Sequence, residues 1–312
     1  MMNYSLPTAQ PEYDVQFWNM ARGRIGGEEF LSKGYNVGVG TYTLPTAGEG
    51  RMTKAITKES LFRKLATVIN AYGTEYTIFS KHTDDLAMFV EENGSIPVYE
   101  GINDFDISSI NSHKLAAFLK LDTEFVYDAA FSIEDYLSAR LGKNFGRAED
   151  KAFVIGGGEK EPVGILHDEE GAEVGATADS LTYDDVIDLY FSVKPEFRRK
   201  GVWLMNDKTA LALRKLKDAD GNYLWNQSND TILGKTVHIS EFMPDATSGS
   251  KPVAFGDFSY YWVVLRSPVS LRTLTEKFAH HNQIGYLAIE FLDGKLVRKD
   301  AVKVLKLTDT QA

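Results

Sequence analysis

Residues 125–145 read FVYDAAFSIEDYLSARLGKNF. Val126, Ala129, Ala130, Ile133, Leu137, Leu141 and Phe145 recur mostly at steps of three and four, the spacing that lines up side chains on one face of an α-helix. Ser132, Glu134, Asp135, Ser138 and Lys143 fall elsewhere around it. The spacing predicts a helix over 125–145, about 30 Å long at 1.5 Å of rise per residue. Gly156-Gly157-Gly158, with Pro162 after it, breaks the chain beyond.

Toward the C-terminus the pattern alternates. A helix is predicted over 183–193 behind Ser180 or Thr182 as cap, and another over 207–217 behind Asn206 or Asp207. Between them 202–205 reads as a buried strand, and 218–221 as a turn. Strands are predicted at 237–239, 253–255, 260–265 and 271–274, with 245–251 a small polar loop at a tip. Asp293-Gly294 between 284–292 and 295–297 reads as a hairpin turn, and 302–307 as a last strand.

Toward the N-terminus, Leu61, Leu65, Val68 and Ile69 predict a helix over 57–71. A strand at 76–79 follows, then extended pieces at 87–90 and 96–99 around Asn93-Gly94, and a weakly alternating stretch at 102–110. Residues 81–112 together read as an extended polar hairpin that buries little of itself. The first fifty residues read as an arm. Eight glycines between Gly23 and Gly50, with Pro45 among them, argue against long regular elements there. Such an arm gains order by lying on something else. The class is α+β, without internal repeats.

Composition narrows the function. The chain has 312 residues, with 34 Lys+Arg against 44 Asp+Glu, a length that suits two domains or one large divided one. A net charge of −10 argues against wrapping duplex DNA by phosphate neutralisation, though not against enclosing it. There is no cysteine, which removes disulfides, thiolate metal sites and a Cys nucleophile. Residues 1–10 lack the basic start and apolar core of a signal peptide, and no run approaches the ~18 apolar residues of a membrane span.

Several fragments imitate catalytic or binding motifs and fail on spacing. Gly38-Val39-Gly40 has Thr43 where a dinucleotide loop needs its third glycine, and Pro45 and Gly48 oppose the helix that must follow. Gly234-Lys235-Thr236 ends like a phosphate loop, but Asn229 replaces the leading glycine and a strand follows. Asp218, Asp220 and Asn222 begin a calcium loop in which Tyr223 displaces the glycine and Asn229 the closing Glu. The histidines, His82, His113, His167, His238, His280 and His281, show no metal-ligand spacing beyond the adjacent pair. Phe255, Phe258, Tyr260, Tyr261 and Trp262 read as core and sheet-face residues, not as a base-stacking platform. No catalytic, cofactor-binding or metal residue is assigned, and no cofactor is expected.

The order of elements resembles the Hong Kong ninety-seven-like major capsid proteins of tailed bacteriophages. The resemblance runs from about Leu61 to Leu307. It rests on 152–158 (AFVIGGG) with 161–166 (EPVGIL), on 203–209 (WLMNDKT) with 213–216, 218–221 and 223–225 (YLW), on Leu233-Gly234 and Val237, on 240–244 (SEFMP) and on 255–259 (FGDFS). It implies an N-terminal arm at 1–50 and a peripheral domain at 51–151 and 284–312. That domain would hold an extended loop at about 81–112, lying over a neighbour, and a spine helix at about 125–145. An axial domain would span 152–283, with 245–251 near the capsomer centre. The role implied is structural, not enzymatic. Copies would self-assemble as pentamers and hexamers into the icosahedral head of a tailed phage or prophage around double-stranded DNA. Implied partners are other copies, a separate scaffold, portal and head-completion proteins, and DNA without sequence-specific binding; no membrane is implied. The implied location is the virion, assembled in the bacterial host cytoplasm. The chain lacks the helical scaffolding segment that many relatives carry at the start, so a separate scaffold or a trimmed chain is expected. Two rival readings stand beside this one: an encapsulin-type nanocompartment shell, and an enzyme with a phosphate site at 156–158 or 234–236.

Overall fold

The structure, a computed structural model, describes residues 7–32, 43–71, 76–81, 105–128, 132–217, 220–225 and 230–308. In chain order the elements are α1 (Pro11–Ala21), α2 (Gly27–Ser32), α3 (Thr46–Glu59), α4 (Phe62–Leu65), β1 (Thr67–Asn70), β2 (Tyr76–Lys81), β3 (Phe105–Ile110), β4 (His113–Asp122), α5 (Thr123–Tyr127) and α6 (Ile133–Ile155). After them come β5 (Glu173–Ala178), α7 (Tyr183–Ser192), α8 (Pro195–Arg198), β6 (Val202–Met205), α9 (Asp207–Arg214), β7 (Thr231–Ile232), β8 (Lys235–Ile239), β9 (Val253–Gly256), β10 (Tyr261–Leu274), β11 (Gln283–Leu296) and β12 (Val302–Leu307). The mixture of helix and sheet agrees with the α+β class.

Two sheets organise the chain. The first has the order β1-β10-β11-β4, and the second β5-β12-β9-β6-β8-β7. The second is buried on both faces. Trp203, Met205, Val253, Phe255 and Leu305 point into a core under α7, α8 and α9. Leu204, Ala254, Val302 and Val304 point the other way, against Phe62, Phe153 and Ile165. Residues alternate between the faces with the period of two that a strand imposes, so β6 and β9 read as unbroken apolar runs.

The long helix is real but displaced. It begins at Ile133, where Ser132 accepts a hydrogen bond from the Asp135 amide, and runs 23 residues to Ile155. The expected 125–145 therefore starts too early and stops too soon. Within the expected range, 129–131 lie outside the described residues, and Thr123–Tyr127 forms the separate α5. Gly142 and Gly146 do not weaken α6; they admit α3. A Cβ on Gly142 would stand 2.5 Å from the Ala55 Cβ, and one on Gly146 3.0 Å from the Ile56 carbonyl oxygen.

Four further expectations are corrected. The 57–71 helix is instead the end of α3, the short α4 and strand β1, which pairs parallel to β10 from Thr67 opposite Trp262. The arm holds α1, α2 and the first turn of the 14-residue α3, and it has a core. Tyr13, Phe17, Trp18 and Phe30 are buried with Met52, Leu137 and Tyr286 in one cluster, and the Tyr286 hydroxyl donates to the Ala21 carbonyl at 2.8 Å. The strands at 260–265 and 271–274 are one strand with register shifts around Ser267, where Pro268 cannot donate to the ladder. The hairpin at Asp293-Gly294 is absent, since β11 runs straight through, pairing Asp293 with Val264 and Gly294 with Val263. A side chain on Gly294 would meet the Tyr261 hydroxyl at 2.7 Å and Phe153 at 2.8 Å, so the glycine marks a close approach and not a turn.

Each sheet draws strands from well-separated parts of the chain. β12 pairs with β5 and β9 in the second sheet, and β10 pairs with β1 and β11 in the first. The polar hairpin has a stem of β2 against β3, Tyr76 opposite Ile110 through Lys81 opposite Phe105. The strands expected at 87–90 and 96–99 lie outside the described residues.

Candidate functional site

Where α4, α6 and β11 meet, three charged side chains are buried together. Arg63 donates from Nε to Glu149 Oε2 at 2.8 Å and from Nη2 to Glu149 Oε1 at 2.7 Å, a bidentate pair. The same Nη2 reaches Glu290 Oε1 at 3.2 Å. The side chains of Arg63, Glu149 and Glu290 are 4%, 0% and 3% exposed. Glu290 Oε2 is buried with no partner among the described residues. Two carboxylates facing one guanidinium leave a surplus negative charge that burial makes costly. Burial first, then the neighbouring Glu149, pushes the Glu290 carboxyl up to about 8.

Beside it, Asp150 closes the turn between α3 and α4. It accepts from the Ser60 hydroxyl at 2.6 Å and from the amides of Leu61 and Phe62 at 2.8 and 3.1 Å. Burial raises its carboxyl above the ordinary value and the three donors pull it back. Asp293 is similar. Burial raises it, while the amides of Gly294 and Asn111 and the nearby His113, 3.5 Å away, oppose the shift. Glu149, Asp150, Glu290 and Asp293 thus tie α6 and β11 to the segment 60–63 and to the start of β4. Of these the sequence singles out only Asp293, and that as half of a hairpin turn. The available signal was that Glu149 and Asp150 continue the inward face of 137, 141 and 145, which the early helix end at 145 hid.

A raised folded-state pKa fixes the sign of a pH dependence. The unfolded carboxyl of Glu290 ionises near 4.5, while the folded one holds its proton to about 8. Its contribution is fully present below pH ~4.5 and is lost as pH rises toward about 8. Glu290→Gln keeps the neutral shape and removes the titration. The wild type should therefore lose stability relative to Glu290→Gln across that window, at up to about 1.4 kcal/mol per pH unit. Urea unfolding at a series of pH values reads this. Parallel curves would mean that Glu290 does not hold its proton.

The motif fragments do not converge. Gly38 and Gly40 lie outside the described residues, as do Asp218 and Asn229. Leu233 and Gly234, both at positive φ, turn β7 into β8. Gly156 ends α6, its amide donating to the Ala152 carbonyl, and the chain doubles back so that Ile165 and Leu166 donate to Phe153 and Val154. That return explains the 152–166 stretch. The loop it leads into is clamped by lysines. Lys251 donates to the Leu166 carbonyl and to Asp168, and Lys299 to the Glu169 carbonyl. His167 accepts from the amides of Glu169 and Glu170, and burial lowers the pKa of His238. No group of three metal-ligating side chains converges among the described residues. Phe255, Phe258 and Tyr261 are buried, as core residues should be. The 245–251 loop is held by Asp245, which accepts from Asn206 and Lys208, and by Ser248, which donates to the Thr308 carbonyl.

What the chain offers to solvent is apolar in places. Phe191 on α7 is 63% exposed, Leu211 on α9 53% and Phe118 on β4 45%. Phe291 on β11 stands beside the Phe118 strand on the outer face of the first sheet. Single exposed apolar residues are ordinary; Phe118 and Phe291 put two rings on one face of the same sheet.

A model of the phage capsid family matches residues 40–307. No curated protein matches. Among solved structures, the capsid of an empty GTA particle is 30% identical with a TM-score of 0.69, covering 80% of this chain and 90% of that one. The capsid of a native GTA particle is 29% identical with a TM-score of 0.65, covering 79% and 89%. A structure from Microbacterium phage Oxtober96 shares the fold at 16% identity and a TM-score of 0.61, covering 80% and 91%.

Proposed function

The chain belongs to the phage capsid family, and from that premise we propose that it is the major head protein whose copies close as pentamers and hexamers into an icosahedral shell around double-stranded DNA. The observation that carries this reading is the family match over 40–307 together with 30% identity, across 80% of the chain, to the capsid of a GTA particle. The chain is a structural protein that works by self-association. Contacts within a capsomer are heterologous, one patch against a different patch, because contacts of that kind close into five- and six-membered rings.

The parts take roles from the two sheets. The unit of the first sheet, with α1, α3 and α6, is the peripheral part, and α6 is its spine. The unit of the second sheet, including β12, is the axial part, with 245–251 toward the capsomer centre. No catalytic step is assigned, and the buried charges serve cohesion. A separate scaffold, portal and head-completion proteins are the partners, and assembly occurs in the bacterial host cytoplasm.

The test is light scattering and negative-stain microscopy of the purified chain, with and without a scaffold protein. Rings or closed shells are the expected result. A monomer under every condition would overturn the reading.

A further inference from the structure

Charge is sorted across α6. Beyond its first turn the helix carries two carboxylates, Glu149 and Asp150, and both are buried. The cations of the same stretch, Arg140, Lys143, Arg147 and Lys151, are all exposed. At 100° per residue these four fall within an arc of roughly 80°, so they form one stripe, about 16 Å from Arg140 to Lys151. Tyr136 is the other exposed side chain of that arc, with Asn144 at its margin, and neither is acidic. Arg147 is held by Glu241 through two hydrogen bonds, at 3.0 and 3.1 Å; the α3 helix alongside exposes Lys54 and Lys58, with Glu59 at its end.

The sorting has a local cause. Glu149 turns inward to Arg63, and Asp150 turns inward to Ser60 and the amides after it. Folding therefore takes the helix's own later carboxylates off its outer face and leaves Arg140, Lys143 and Lys151 there, with Arg147 between them paired to Glu241. In a chain of net charge −10 a row of cations on one face of a helix is not what composition alone would leave. A regular row of cations along a straight rod complements a regular row of phosphates, and Lys and Arg contacts to phosphate carry no sequence information.

We infer that the α6 stripe, through Arg140, Lys143 and Lys151, is the surface by which the chain contacts the phosphate backbone of enclosed duplex DNA. The inference rests on the reading of the chain as a shell around DNA, and it specifies which face looks inward. The outer face of the first sheet, with Phe118 and Phe291, then looks outward, since α6 lies against the opposite face of that sheet. Binding is non-specific and salt-dependent.

The experiment compares the full chain, kept below the concentration at which light scattering detects closed shells so that the inward face is open to added duplex, with the triple variant Arg140→Gln, Lys143→Gln, Lys151→Gln. Fluorescence anisotropy with a short mixed-sequence DNA duplex is read between about 50 and 200 mM salt. The slope of log affinity against log salt should be shallower by about 2–3 in the variant, close to 0.9 per lost phosphate contact. The conservative triple Arg140→Lys, Lys143→Arg, Lys151→Arg should keep the wild-type slope, and Lys200→Gln, Lys215→Gln, Lys277→Gln controls for net charge alone. Equal slopes for wild type and stripe variant overturn the inference, as does an equal loss in the control triple or no duplex binding by the wild type. Assembly is scored separately by light scattering. If the stripe variant fails to assemble but keeps the slope, the stripe is a subunit contact and the inference falls. If the wild type fails to assemble, it is the shell reading that falls.

Discussion

Replacing Arg63 with alanine is expected to destabilise the chain by about 3–5 kcal/mol, the cost of breaking a buried ion pair from one side. Arg63 makes three hydrogen bonds to carboxylates that are nearly or wholly out of solvent. Without it, Glu149 and Glu290 lose those partners, and Glu290 Oε2 already lacks one among the described residues. At about 2 °C or more per kcal/mol for a chain of this size, thermal unfolding of the unassembled protein should shift down by roughly 6–15 °C. The triple variant Arg63→Met, Glu149→Gln, Glu290→Gln leaves no ionisable group in the cluster, and it should recover most of the loss, because the penalty lies chiefly in the uncompensated Glu149 carboxylate and not in the lost attraction. A single variant within about 1 kcal/mol of wild type would show that water reaches the cluster and screens it.

Trp203→Ala is the second large effect. Trp203 is 0% exposed in β6, at the interior of the second sheet. Its ring lies 4.3 Å from that of Phe255 and 6.4 Å from that of Tyr190, and its Nε1 donates to the Ile232 carbonyl at 3.0 Å. Truncation should cost about 3–5 kcal/mol from lost transfer energy and the cavity, with about 1 kcal/mol more for the unpaired carbonyl. Trp203→Phe keeps most of the ring and loses chiefly the hydrogen bond, so it should cost much less. Because that bond anchors the two-residue β7, amide exchange at Ile232 and in β8 should rise in both variants, while urea unfolding separates them. Equal urea midpoints for the two would mean that the hydrogen bond and not the packing carries the effect.

The parts of the fold legible in the sequence are those whose signals are local. Helix α7 starts where Thr182 and Asp185 form a reciprocal cap, and α9 starts behind Asn206, whose side chain accepts from the Thr209 amide. Strands β6, β9 and β12 are short apolar runs and were read nearly to the residue. The errors fell where a distant partner decided. Leu61, Leu65, Val68 and Ile69 have helical spacing, yet Asp150 draws the 60–62 backbone into a turn, and β10 takes up Thr67–Asn70 as a strand. Asp293-Gly294 has the composition of a turn, yet Asp293 accepts from the Asn111 amide at 2.7 Å, and the glycine lets Phe153 and Tyr261 close on the strand.

The sequence by itself determined the α+β class, the order of elements in the second half, the absence of cysteine chemistry and the failure of every motif on spacing. Those depend on near neighbours along the chain, on composition, or on fixed spacing. Only the tertiary structure decided that the glycine-rich arm has a core, that β12 completes the second sheet, and that α6 runs to Ile155 with its acids inside and its cations outside. Each of these is set by contacts across tens to hundreds of residues. Glu149 is a surface-type residue by composition, and becomes a buried one because Arg63, 86 positions earlier, is there to meet it.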